Sequence, residues 1–100
     1  MPWTLAYDIS EDNLREKTAN KLLELGLLRI QQSVFIGNPS ETVLKILKSW
    51  LKKNINKTEK TKDFVLLLPC TQLQLEQAIH YGKTPINWAM IIAPPNTLII

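Results

Sequence analysis

The chain has 100 residues, 45% of them apolar and 21% charged, which is the size and composition of one small globular domain. A two-domain enzyme is excluded, and because so short a chain buries only about two-thirds of its unfolded surface, we expect a partner subunit. The net charge of +3 is uneven, since residues 45–62 carry +6 and the rest −3. That basic cluster suits a polyanion such as a nucleic-acid backbone, or else a solvated helix face with a polar loop.

Cys70 and His80 are the only residues of their types, so an internal disulfide and structural zinc are excluded. His80 has no identifiable Asp or Ser partner in the sequence pattern, so a catalytic triad is not expected. The first residues lack the basic and apolar regions of a secretory signal. No apolar run reaches the roughly 20 residues that span a bilayer. We therefore expect a cytoplasmic protein without membrane contact.

The first third of the chain alternates between strand and helix patterns. Residues 3–9 place apolar side chains at every second position, which predicts a strand. Ser10 is the expected N-cap of a helix that runs to about Leu25, with Gly26 as its left-handed C-terminal cap. Residues 27–36 alternate again and predict one continuous strand.

A second helix is expected after residues 37–40, with the three lysines Lys45, Lys48 and Lys52 on its solvent face. Residues 54–63 are polar and indicate a loop. Residues 64–69 are apolar throughout and predict a central strand covered on both faces.

The last third is expected to hold a short helical turn at 71–77, a strand at 77–81 and a further strand at 86–92. These elements favour a single α+β domain over residues 1–100, a ferredoxin-like α/β plait (βαββαβ) with an extra C-terminal strand.

Two helices can cover only one face of such a sheet. We expect the open face to mix apolar with polar side chains and to form a sheet-to-sheet homodimer interface that contains the chemistry of the protein. The side chains expected there are Ala6, Asp8, Arg29, Gln31, Ser33 and Phe35.

Asp8, at the end of the first strand, is the candidate metal ligand. A carboxylate there suits Mg²⁺, and a two-fold dimer would supply it twice, whereas the alternative is that Asp8 caps the next helix or pairs with Arg15 or Arg29. Bound magnesium would polarise a phosphoryl oxygen and activate water for phosphodiester hydrolysis.

Three cations, Arg15, Lys17 and Arg29, could neutralise phosphate charge beside Asp8. Alternatively, Arg15 pairs with Glu11 along its helix and Lys17 only solvates that helix. Ser33 is either part of the site or a hydroxyl bonded within the interface. Core packing is expected for Tyr7, Phe35 and Trp50.

The segment from Tyr7 to Gly37 closely resembles the CRISPR-associated Cas2 family. Three features carry the resemblance: a first strand that ends in Tyr7-Asp8, a helix that opens with Asn13-Leu14-Arg15, and a Gly-Leu-x-Arg-x-Gln-x-Ser-Val-Phe segment at residues 26–35. Residues 38–100 agree with the family in element order only.

The resemblance implies a ferredoxin-like homodimer whose C-terminal tail, residues 83–100 here, extends the partner's sheet. It implies CRISPR adaptation, in which the dimer bridges dimers of the integrase Cas1 and holds spacer DNA. It also implies magnesium-dependent endonuclease activity on single-stranded RNA or duplex DNA, against which a non-catalytic adaptor is the alternative. The matching site positions are Asp8 as the magnesium ligand, with Arg15, Arg29, Ser33 and Phe35.

The sequence departs from the family pattern at two positions. Lys17 stands where an arginine is frequent, and Gln32 stands where an aromatic residue is frequent. Because lysine lacks the bidentate guanidinium, this difference weakens the case for hydrolysis more than the case for backbone binding by Arg15, Lys17, Lys45, Lys48 and Lys52.

Overall fold

A computed structural model describes residues 1–55 and 62–82 of the chain. In chain order its elements are β1 (Trp3–Asp8), α1 (Asp12–Glu24), β2 (Leu28–Gln31), β3 (Val34–Gly37), α2 (Glu41–Asn54), β4 (Phe64–Pro69) and α3 (Gln72–Glu76). The predicted α+β plait of the ferredoxin-like kind is confirmed. The strand expected at 86–92 and the tail at 83–100 lie outside the described residues.

The four strands form one antiparallel sheet in the order β2-β3-β1-β4. In its centre, Leu5 on β1 is paired with Phe35 on β3, and Ala6 is paired with Leu66 on β4. A backbone bond from the Cys70 N–H to the Pro2 carbonyl, 2.8 Å long, prolongs the β1–β4 ladder. The backbone groups on both edges of β1 thus have hydrogen-bond partners, which fixes the position of the strand that carries Asp8.

The core lies between the sheet and helices α1 and α2. Every second side chain of β1 points into it, as the alternation in residues 3–9 predicts. The fully buried side chains of this core are Leu5, Thr18, Leu22, Phe35 and Leu47. Val65 and Leu67 of β4 pack against the same cluster.

The opposite face of the sheet is half covered. Helix α3 crosses onto it, where Leu75 packs with Ile36, Leu28 and Ile30 over strands β2 and β3. Over β1 and β4 the face stays open and apolar. The large side chains that it exposes there are Phe64, Leu66 and Leu68, at 50%, 47% and 48%.

The single strand expected at 27–36 is wrong, because the chain turns at residues 32–33 and returns as a second strand. The two strands pair with a bulge between Arg29 and Gln31. The expected open-face position of Arg29 and Phe35 is also wrong. Arg29 pairs with Phe35, which faces the helices beside Leu5, so both lie on the helix side of the sheet.

Three local expectations also differ from the structure. The N-cap of α1 is Glu11, with no side-chain cap bond, and Ser10 instead donates its hydroxyl to Asp63. In the described part of the chain β4 has β1 as its one neighbour, and its outer side chains are exposed, so it is not a covered central strand. Residues 77–81 form no strand.

The predicted ends of the helices are largely confirmed. Gly26 has a φ of +89°, and the N–H groups of Gly26 and Leu27 donate to the carbonyls of Leu23 and Leu22. These paired bonds are a Schellman motif, which ends α1. Ser40 caps α2 through the Val43 N–H, and the short helical turn predicted at 71–77 is α3.

Among the described residues, no helix combines the length and the apolar character needed to cross a bilayer. The cytoplasmic location therefore stays a prediction.

Candidate active site and cationic surface

A polar groove of about 900 Å³ opens where β1 ends. Three segments build its walls: the end of β1, the first turns of α1, and the turn between β2 and β3. The end of β1 and α1 follow each other in the chain, whereas the β2–β3 turn is brought to them by the fold. The lining residues are Tyr7, Asp8, Ile9, Asp12, Arg15, Glu16, Ala19, Asn20, Arg29, Gln32 and Ser33.

Asp8 is the last residue of β1, and it is exposed and paired across the sheet with Phe64. Among the described residues its carboxylate takes part in no hydrogen bond and no ion pair. The alternatives in which Asp8 caps α1 or pairs with Arg15 or Arg29 are therefore wrong. The carboxylate keeps its full acceptor capacity for a ligand.

Arg15 is held at the start of α1 by two contacts. One guanidinium nitrogen, Nη1, donates to the carbonyl of Ile9 over 3.0 Å, and Nη2 forms an ion pair with Asp12. The ion-pair partner of Arg15 is therefore Asp12, three residues before it, and not Glu11, the expected alternative four residues before it. Arg15 is thereby tied to the residue that follows Asp8, and its side chain remains 46% exposed to the groove.

The carbonyl of Gln32 organises the opposite wall. It accepts from Nη2 of Arg29 at 2.7 Å, from Nε of Arg29 at 3.2 Å, and from the Tyr7 hydroxyl at 2.9 Å. The Tyr7 N–H also donates to the Ser33 carbonyl at 3.1 Å. These bonds lock the β2–β3 turn to β1, so Arg29 and Ser33 hold a fixed position beside Asp8.

Phe35 lies beneath this wall and not on the groove surface. It is completely buried, it stacks with Tyr7 at 6.1 Å between ring centroids, and the Arg29 guanidinium lies 5.4 Å above its ring. Its expected packing in the core is confirmed. A buried ring cannot contact a substrate directly, so any influence on the site passes through Arg29.

The sequence-predicted residues thus divide into two surfaces. Asp8, Arg15, Arg29 and Ser33 line the groove, whereas the lysines expected to bind nucleic acid do not line it. Those exposed lysines lie on the two helices; they are Lys17, Lys45, Lys48 and Lys52.

Tyr7 and the Gln32 carbonyl are the site contributors that sequence reasoning missed. Tyr7 was expected only to pack in the core, which it does, but its hydroxyl also bonds to the groove wall. The Tyr-Asp pair at the end of β1 was the available signal. Gln32 gave none, because its contribution comes from the backbone and the turn contains no glycine, proline or asparagine.

A second contact joins the two chain segments next to Asp8. Oδ1 of Asp63, just before β4, accepts from both the N–H and the hydroxyl of Ser10, at 3.0 and 2.9 Å. The partners are 53 residues apart in sequence, so local patterning does not predict their contact. The pair holds the β1–α1 loop against the start of β4.

Trp50 is not the core residue that its sequence pattern predicts. It is half-buried, belongs to neither core cluster, and lines a shallow groove between α1 and α2 with lysines around it.

Within the described residues, no group of three or more histidine, cysteine, aspartate or glutamate side chains could hold a metal ion. A magnesium site that uses Asp8 would therefore need oxygen ligands from beyond this part of the chain, such as water, a substrate phosphate or a second copy.

Comparison with known proteins accounts for this arrangement. A family model described as CRISPR associated protein Cas2 matches residues 1–78. The chain belongs to this family. The similar sequence segment of Tyr7-Asp8, Arg15 and residues 26–35 supplies most of the groove described above.

Two relatives in the Cas2 family carry enzymatic names. A protein of Pyrobaculum aerophilum named CRISPR-associated endoribonuclease Cas2 2 is 36% identical over 81 residues, which are 81% of this chain and 86% of that protein. A protein of Aeropyrum pernix named CRISPR-associated endoribonuclease Cas2 is 37% identical over 65 residues, 65% of this chain and 70% of its own length.

Proposed function

We propose that this Cas2-family chain is a nucleic-acid-binding homodimer of CRISPR adaptation that hydrolyses phosphodiester bonds with magnesium held by Asp8. The observation that carries the proposal is the carboxylate of Asp8, unpartnered within the described part of the chain, on the wall of a groove that also presents Arg15 and Arg29. The names of the relatives favour RNA as the substrate over duplex DNA.

The open face supports the homodimer. Phe64, Leu66 and Leu68 expose about half of their surface, and such a contiguous apolar strand is costly in water unless it is covered. A second copy on this face would bury it over β1 and β4. Since Asp8 ends β1 and is paired with Phe64, the same contact would bring the two carboxylates towards each other.

The donor set fits Mg²⁺ in chemical type. Asp8 offers hard carboxylate oxygens with no competing partner among residues 1–55 and 62–82, and magnesium is commonly held by one or two carboxylates together with waters and substrate phosphates. Asp8 from each of two copies would hold the ion. When bound, the ion supplies polarisation of a phosphoryl oxygen and a lowered pKa of bound water.

Three further residues of the groove, Arg29, Arg15 and Ser33, bind and orient the substrate. Arg29, fixed by the Gln32 carbonyl and the Phe35 ring, presents a rigid planar cation to a phosphate. Arg15 presents a second guanidinium, which is held near the end of β1 by its hydrogen bond to the Ile9 carbonyl. The Ser33 hydroxyl lines the same wall and can donate to a phosphate oxygen. Phe35 is a positioning residue.

One observation favours the alternative, a non-catalytic adaptor that bridges Cas1 dimers and holds spacer DNA. Lys45, Lys48 and Lys52 recur at three- and four-residue spacing on α2, they are exposed, and they lie outside the Asp8 groove. Such a row can follow a nucleic-acid backbone without any chemistry at Asp8.

The deciding experiment incubates wild-type protein with labelled single-stranded RNA and duplex DNA, with Mg²⁺ or with a chelator. Asp8→Asn removes the charge and keeps the shape, and Glu41→Gln, outside the groove on α2, makes the same charge change as a control. We expect cleavage by wild type and Glu41→Gln that needs Mg²⁺, with at least a hundredfold loss in Asp8→Asn.

Equal cleavage by Asp8→Asn would overturn the catalytic proposal. Absence of cleavage by wild type, with salt-sensitive duplex binding that falls when Lys45, Lys48 and Lys52 are changed to glutamine, would favour the adaptor.

A further inference from the structure

The helix layer carries a second groove that has no residue in common with the Asp8 groove. It lies between α1 and α2 and has a volume of about 390 Å³. Its lining consists of Lys21, Lys45, Ile46, Ser49, Trp50 and Lys53, and we call it the Trp50 groove.

The floor of the Trp50 groove is apolar and reachable by solvent. Ile46 is 46% exposed, although it sits in the middle of a helix whose Leu47 is completely buried one residue on. Trp50 is half-buried on the same side of α2. Its indole N–H has no acceptor in the described part of the chain, and it is not enclosed, so it remains available to a ligand.

The rim of the groove is cationic. Three of its six lining residues are lysines and none is acidic. The nearest carboxylate in ionic contact is Glu24, 3.8 Å from the Lys21 ammonium and 68% exposed, which leaves the rim positive. Along α2, Lys45 and Lys53 are separated by a rise of about 12 Å, which exceeds the spacing of successive phosphates in a nucleic-acid strand.

We propose that the Trp50 groove binds single-stranded nucleic acid, with a base stacked on Trp50 and phosphates on Lys21, Lys45 and Lys53. An aromatic platform framed by basic side chains is the arrangement that proteins use for single strands, because every base offers a face for stacking. The bases in the interior of a duplex are stacked on both faces and cannot use the indole. The inference does not depend on hydrolysis at Asp8.

An acidic amphipathic protein segment is the competing occupant. It would place apolar side chains on Ile46 and carboxylates on the lysines. We favour nucleic acid because Lys48 and Lys52, also exposed on α2, extend the basic surface past the groove, as a charged backbone requires.

The test uses the full chain in chelator, which prevents metal-dependent cleavage and keeps this proposal separate from that of the active site. A labelled single-stranded oligothymidine and a duplex of equal length are titrated while tryptophan emission is recorded. We expect the single strand to quench emission in wild type. Trp50→Phe should retain most of the affinity but lose the share of the quenching that comes from Trp50, since Trp3 and Trp88 still emit, and Trp50→Leu should bind about tenfold more weakly.

Charge is tested separately with two variants of equal net charge. Lys53→Gln changes the rim, and Lys62→Gln changes an exposed lysine outside the groove. We expect the rim variant to lower the slope of log affinity against log salt by about 0.7 for the single strand, and the outer variant to change it less.

Three results would overturn the proposal: unchanged tryptophan emission on saturation, single-strand binding by Trp50→Leu equal to wild type, or equal salt slopes for the two lysine variants. Quenching by an acidic amphipathic peptide in place of the oligonucleotide would assign the groove to a protein partner instead. If Trp50→Leu fails to fold, Trp50→Phe and the lysine variants still decide.

Discussion

The guanidinium of Arg29 lies 5.4 Å above the ring of Phe35, and the two residues are direct partners across β2 and β3. The ring supports the cation from below, and the Gln32 carbonyl accepts two of its N–H groups from the side. An exposed arginine normally samples many rotamers. Because these two contacts already restrict the Arg29 side chain, it has less conformational entropy to lose when a phosphate binds.

If Phe35 acts through Arg29, their substitutions should not be additive. We expect Phe35→Leu and Arg29→Ala each to weaken nucleic-acid binding, and the double variant to bind no worse than Arg29→Ala alone. Binding titrations of the four proteins form the cycle. Additive losses would show that Phe35 affects binding by another route.

The buried Phe35 ring also predicts a stability change. In denaturant, Phe35→Ala should lower the free energy of unfolding by about 3–5 kcal/mol, because the ring is completely buried.

The open apolar face predicts the effect of a charge on oligomeric state. If the proposed dimer forms through this face, Leu66→Lys should shift the protein from dimer to monomer in sedimentation velocity at micromolar concentration, because it places a cation in the contact area. Leu23→Lys is the matched control, since Leu23 has the same 47% exposure but lies on α1. Similar sedimentation of both variants would contradict a dimer through the sheet face.

The left-handed Gly26 predicts a stability change of backbone origin. An added Cβ would meet nothing within 4 Å, so Gly26→Ala has no steric conflict with neighbouring atoms and only the cost of its φ of +89°. We expect a loss of about 1–2 kcal/mol in urea unfolding. Gly26→Asn should lose less, because asparagine tolerates this conformation. Equal stability of wild type and Gly26→Ala would contradict the Schellman geometry.

The contact between Ser10 and Asp63 predicts unequal effects of its two partners. Ser10→Ala removes one hydrogen bond and should cost about 0.5–1.5 kcal/mol. Asp63→Ala removes the acceptor of both the hydroxyl and the backbone N–H, so its loss of unfolding free energy should be larger. Thermal and urea unfolding measure both. A smaller effect for Asp63→Ala would mean that the loop does not depend on this carboxylate.

The elements that follow a simple period were predictable from sequence. The alternation in β1, the helix after residues 37–40 with its solvent-facing lysines, and the Gly26 end of α1 each show one dominant pattern, and the structure contains all three. The turn at residues 32–33 was not predictable in this way. Its residues are Gln and Ser, which leave the alternation of the flanking strands apparently unbroken.

The position of Phe35 was missed for a different reason. Both faces of the sheet are apolar, because Leu28 and Ile36 lie on one face and Phe35 on the other, so alternation separates the faces without showing which one meets the helices. Asp8, Arg15, Arg29 and Ser33 nevertheless line one groove, although Arg29 reaches it from the helix side of the sheet and not from the predicted open face. Contacts over long sequence distances, such as that of Asp63, leave no periodic signal.

Helix α3 has a consequence for the geometry of assembly. By packing Leu75 on Ile36, it closes the β2–β3 half of the sheet face to any second molecule. Among the described residues, the part of this face over β1 and β4 remains accessible, so in the proposed dimer a symmetric neighbour would dock there and not over the whole sheet. The accessible half of the face contains Asp8. The position of the five-residue helix α3 therefore determines which side chains could meet between two copies.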